Sequence, residues 1–160
     1  MGISIQQNET INPSNPNVHS IEEFNALNRT IETIVVASGS CSDGSITELK
    51  MNPFTRLKVL DIGNACFVRV KVFEMIGMHV LETVRIGTRC FLNKEGVFRL
   101  KDCQRVKELR IGRFSFSNYS RCDIKSVPSL EVIEIGDLKE RSFNFIYASL
   151  ELRSGLEEGD

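Results

Sequence analysis

The 160-residue chain has no apolar run near the roughly 18–20 residues that span a bilayer. Its opening, MGISIQQNET, lacks the basic and apolar segments of a signal peptide, and Gln6 stands where a myristoylation motif wants Ser or Thr. Net charge is also lacking: 20 basic residues against 21 acidic ones leave −1, with a pI near 6.2. A broad electrostatic grip on nucleic acid or anionic lipid is therefore excluded. Histidine is scarce, with only His19 and His79, and the five cysteines form no pair at zinc-ligand spacing. GSCSDGS at 39–45 has the glycine spacing of a phosphate loop without its lysine. These absences remove the usual signs of a nucleophile–base pair, a metal centre or a nucleotide site. The expectation is a soluble cytoplasmic protein that is not an enzyme, holds no cofactor, and engages neither nucleic acid nor membrane. Triplets of the glycosylation type at Asn8, Asn28 and Asn118 read as chance without a secretion signal.

What the chain does have is repetition. LKVLDIGNACF at 57–67 returns as LETVRIGTRCF at 81–91 and VKELRIGRFSF at 106–116, and a fourth copy opens with LEVIEIGD at 130. Gly63, Gly87, Gly112 and Gly136 are separated by 24, 25 and 24 residues, each preceded by isoleucine. Leu60, Val84, Leu109 and Ile133 fill one apolar column; Leu57, Leu81, Val106 and Leu130 fill another. Upstream run Phe54, Met78, Cys103, Val127; then Met51, Met75, Leu100, Ile124; then Leu49, Phe73, Phe98, Cys122. Phe67, Phe91 and Phe116 close the turns, and the lengthened fourth unit delays its phenylalanine to Phe143. Spacings of three, three and two suit a short strand bracketed by tight bends, not a helix. A unit this small hides its apolar edge only by stacking on its neighbours. The prediction is a solenoid in which each copy forms the next rung and glycine lets the chain turn where a side chain would obstruct it.

IETIVVASGSC at 31–41 reads as a degraded earlier rung with Ala37 in the glycine position. Ser20 with Glu23 three residues on makes a capping-box pattern, and Ile21, Phe24 and Leu27 share a face, predicting a short capping helix over 20–28. ASLELRSGLEEGD begins a fifth unit with Leu150 and Leu152; the acidic tail is either a crude cap or the chain is a fragment of a longer array. The expected organisation is a flexible arm over 1–19, a solenoid of 24–25-residue repeats over 20–153, and an acidic tail over 154–160. Cys66, Cys90 and Ser115 share a column that asks for a small residue, and all five cysteines are expected to be free thiols.

LKDCQRVKELRIG at 100–112 resembles a leucine-rich repeat with a cysteine in its turn, and IGTRCF and IGRFSF resemble the turn of BspA-like leucine-rich repeats. The similarity covers about residues 46–153. It implies a leucine-rich repeat solenoid: a parallel β-ladder of short strands with mostly irregular connections. It also implies a non-enzymatic module for protein–protein interaction, with a structural segment of a larger repeat array as the alternative. Residues alternating with the inward Leu60 and Ile62 tile the outer face that such solenoids present to protein partners: Val59, Asp61, Thr83, Arg85, Glu108, Arg110, Val132 and Glu134.

Three charged columns run along the repeat: Lys50, Glu74, Arg99, Asp123; Lys58, Glu82, Lys107, Glu131; and Asp61, Arg85, Arg110, Glu134. Of nine vertical neighbours only Arg85–Arg110 is like-signed. Lateral pairing on solvated strands accounts for the rest and helps fix register. The two arginines are expected to call for a partner's carboxylate or phosphate between them.

Overall fold

The computed structural model describes residues 17–137 and 141–153. Its elements are β1 (Asn17–Val18), α1 (Ile21–Asn25), β2 (Thr33–Val36), β3 (Glu48–Lys50), β4 (Val59–Ile62), β5 (Val72–Ile76), β6 (Thr83–Ile86), β7 (Val97–Lys101), β8 (Glu108–Ile111), β9 (Arg121–Lys125), β10 (Val132–Ile135) and β11 (Ser149–Arg153). Every strand pairing is parallel. The strands form two sheets, ordered β1-β2-β4-β6-β8-β10 and β3-β5-β7-β9-β11. The chain thus alternates between sheets, and each of five turns, from β2/β3 to β10/β11, lays one strand on each. The described residues form a parallel β-solenoid with almost no helix.

The second sheet corrects the expectation of one ladder per repeat. Leu49, Phe73, Phe98, Cys122 and Leu150 are register partners, as are Met75, Leu100, Ile124 and Leu152. Their two-residue spacing is the same alternation that makes β4 a strand, so both halves of each repeat are extended. Facing them are Ile34, Leu60, Val84, Leu109, Ile133 and Val36, Ile62, Ile86, Ile111, Ile135. The core lies between these ladders, where each fully buried aliphatic or aromatic side chain contributes about 1.5–3 kcal/mol. The early rung is real: Ile34 and Val36 sit in register with Leu60 and Ile62.

The turn after each sheet-one strand is specified by three stacked columns. In the first, a Cβ on Gly87 would lie 2.7 Å from the Gly63 carbonyl, and one on Gly112 would lie 2.6 Å from that of Gly87. The backbones approach so closely that only glycine fits.

The second column needs a donor, not merely a small residue. Cys66 Sγ reaches the Ala37 carbonyl at 3.1 Å and Cys90 Sγ that of Gly63 at 3.1 Å. Ser115 Oγ donates to Gly87 at 2.6 Å, and Asn144 Nδ2 to Gly112 at 2.7 Å. Each reaches a carbonyl one turn back; those of Ala37 and Gly112 also accept the amides of Ser40 and Ser115, whereas those of Gly63 and Gly87 receive only the side chain among the described residues.

The third column is aromatic. Phe67, Phe91, Phe116 and Phe145 stack at 5.7, 4.9 and 4.9 Å with planes within 15° of parallel. The fourth unit's aromatic rung is therefore Phe145, two residues beyond the expected Phe143; Phe143 stacks on Phe114 instead, at 5.5 Å.

At the N-terminal end α1 spans five residues, shorter than the expected 20–28, because the chain leaves the helix at Ala26. Ser20 Oγ accepts from the Glu23 amide at 3.1 Å, and Glu23 in turn accepts from His19, one residue before the expected reciprocal position. The Phe24 ring meets Phe54 and Phe67 edge-on at 5.9 and 5.7 Å. Asn17 and Val18, within the expected arm, instead pair with Val35 and Val36, and Val18 is buried. Residues 1–16 of that arm and the tail 154–160 lie outside the described residues.

Candidate interaction surface

The parallel register places all eight candidate residues on one outer face of the six-stranded sheet. Val59, Thr83, Glu108 and Val132 form one vertical column; Asp61, Arg85, Arg110 and Glu134 form the next. Side chains two residues apart on a strand share a face, so the columns stand side by side. Arg85 and Glu134 are exposed and the other six half-buried. The face continues one rung earlier through Thr33 and Val35, partners of Val59 and Asp61, which sequence reasoning missed. The alternation in IETIVV could have found them.

Electrostatics on this face depart from simple vertical pairing. The Arg85–Arg110 contact is like-signed, but Glu108 resolves it from within the chain. Its Oε1 accepts from Nε of Arg110 and lies 3.5 Å from Nε of Arg85. The Arg110 guanidinium holds the Glu108 carboxyl below the usual range, with Arg85 adding to the effect. Arg110 also reaches Glu134 through Nη1. A carboxylate of the adjacent column, Glu108, thus lies between the two arginines. Asp61 takes part in no ion pair among the described residues.

The outer face of the five-stranded sheet differs. Arg99 donates to Glu74 at 2.7 Å and lies 3.6 Å from Asp123, which also accepts from Arg121 at 2.8 Å. Asp123 points outward yet is only 4% exposed, because the two arginines cover it. Lys125, Glu151 and Arg153 continue the pairing at 3.1 and 3.3 Å. Most charges on this face are thus paired within it, Lys101 taking part in no ion pair among the described residues; on the other face Val59, Thr83 and Val132 are the uncharged members of a column that Glu108 interrupts.

Comparison with protein-family models, curated proteins and solved structures finds no match for the chain. Among the described residues no group of three His, Cys, Asp or Glu is placed to hold a metal ion. His79 is exposed in a turn, and His19 Nδ1 lies 3.5 Å from Glu23 at the start of α1. All five cysteines are free and buried. No helix of the described residues is long and apolar enough to cross a membrane.

Proposed function

We propose that the chain is a non-enzymatic protein-interaction module, a leucine-rich-repeat-like solenoid of the cytoplasm, that binds a protein partner through the outer face of its six-stranded sheet. α1 serves as the N-terminal cap, with Ile21 and Phe24 buried against the first turns. The observation that carries the reading is the pair of outward columns on the six-stranded sheet. Val59, Thr83, Glu108 and Val132, uncharged but for Glu108, stand there beside Asp61, Arg85, Arg110 and Glu134. Such a surface offers apolar contact for affinity and a charge pattern for orientation.

The test places Thr83→Arg at the centre of that face and Lys101→Glu on the opposite sheet as control. Proteins captured by the native chain should be lost with Thr83→Arg and retained with Lys101→Glu, both variants melting near the parent. Capture that ignores Thr83→Arg sinks the reading.

A further inference from the structure

Of the five cysteines, only Cys66 and Cys90 hold the same position in successive turns. β4 and β6 pair Ile62 with Ile86, and the Ala65 amide carries that register into the turn by donating to the Thr88 carbonyl at 2.8 Å. Cys66 and Cys90 follow directly and lie one rung apart, at about the 4.8 Å spacing of paired strands. That falls within the roughly 4.4–6.8 Å that separates the α-carbons of a disulfide. The other thiols have no such neighbour. Cys41 has the positive φ of Phe67 and Phe91 and takes the phenylalanine position. Cys103 stands in a column with Met78 and Val127, and Cys122 is in register with Phe98 and Leu150.

The two thiols are bonded differently. Cys66 Sγ reaches the carbonyls of Ala37 and Asn64 at 3.1 and 3.4 Å, and these also accept the amides of Ser40 and Gly39. Its proton can leave without orphaning either oxygen. Cys90 Sγ lies 3.1 Å from the Gly63 carbonyl, which receives nothing else among the described residues, so that proton is held. The Cys90 thiol also donates toward Cys66; with the Ser40 and Gly39 amides it outweighs burial and holds the Cys66 thiol down at about 7 from the usual 9.0. The same contact, together with burial, pushes Cys90 up. The cover over Cys66 is thin: Ser38 and Gly39 are exposed, and a Cβ on Gly39 would meet nothing within 4 Å. Local opening of this loop uncovers the thiol while the stack stays closed. Hydrogen peroxide, little larger than water, needs less room there than iodoacetamide.

We propose that Cys66 and Cys90 form a redox modification site, in which a hydroperoxide oxidises Cys66 and Cys90 then closes a reversible disulfide between successive turns. The Cys66 thiolate attacks the peroxide: an S–O bond forms, the O–O bond breaks, and the departing oxygen takes up the proton that Cys66 released. The Cys90 sulfur displaces the sulfenic hydroxyl: an S–S bond forms, the S–O bond breaks, and the Cys90 proton leaves with hydroxide as water. The two thiols lose two electrons and the peroxide gains them. Transient bridges of this kind occur in reducing compartments. The site does not depend on the proposed binding face.

The test treats the reduced full chain with hydrogen peroxide near neutral pH, stops the reaction with catalase, and alkylates in guanidinium before peptide mapping. One linkage should appear, Cys66–Cys90, lighter by two hydrogens and lost on adding dithiothreitol. Cys41, Cys103 and Cys122 should stay free, with Cys66 reacting roughly tenfold faster than Cys122. Cys90→Ser should stop at a sulfenic acid on Cys66 that dimedone traps, and Cys66→Ser should leave Cys90 reduced. The parent chain gives the linkage without either variant, so a folding defect in one of them does not decide the outcome. A linkage through Cys41, a bridge between chains, or oxidation of Cys66 that is absent or no faster than that of Cys122 overturns the proposal.

Discussion

A Cβ on Gly96 would lie 2.2 Å from the ring of Tyr119. The tyrosine, fully buried, takes the space that glycine leaves one turn earlier and donates its hydroxyl to the Val70 carbonyl at 2.6 Å, two turns back. Gly96→Ala forces one of two buried groups to move, and overpacking of this kind costs about 1–3 kcal/mol. Tyr119→Phe leaves the Val70 carbonyl unpaired and costs about 1–3 kcal/mol. Urea unfolding of both variants checks this; a Gly96→Ala chain as stable as the parent would show that the tyrosine ring is not held there.

The donor column gives a second prediction. Ser115 Oγ donates to Gly87 and accepts from the Cys90 amide at 3.0 Å, so Ser115→Ala removes both bonds in a buried site, at about 1–3 kcal/mol. Cys90→Ser keeps a donor toward Gly63 and should change the unfolding midpoint little. If serine and alanine are equally tolerated at both positions, the column is set by size alone.

The thiols give a pH dependence. Burial pushes Cys41 and Cys122 up from the usual 9.0 to about 12. Unfolded thiols release protons from about pH 9 while the folded ones keep theirs, so the unfolded state gains as pH rises. This part of the stability is fully present below pH 9 and is lost between about 9 and 12. Thermal melts across that range should show the decline, and Cys122→Ala should make it shallower. Iodoacetamide should label no cysteine in the native chain at pH 8 and all five in guanidinium.

Glu108 separates two arginines, so Glu108→Gln should lower the melting temperature by a few degrees at low salt and less at high salt. Replacing Arg85 together with Glu108 should recover most of the loss. A melting temperature that does not respond to salt would place the effect elsewhere.

The columns that repeat every 24 or 25 residues name almost every inward residue, because stacking makes equal positions equal neighbours. Sheet membership is less legible. LKM at 49–51 and LDI at 60–62 carry the same alternation, and whether they lie in one sheet or two depends on the bend between them. Phe145 escapes a count of residues because the lengthened fourth turn shifts the ring that reaches Phe116. The candidate face follows directly from the alternation. Its electrostatics do not, since Glu108 acts across columns, through a neighbour two residues along its own strand and another on the adjacent strand.

A photo-crosslinking amino acid at Thr83, compared with the same group at Lys101 on the opposite sheet, tests the interaction face most directly. Irradiated in native lysate, the Thr83 chain should form a discrete protein adduct of higher mass, and the Lys101 chain should not. Adducts from Lys101 alone, or in equal yield from both positions, would contradict a binding face on the six-stranded sheet.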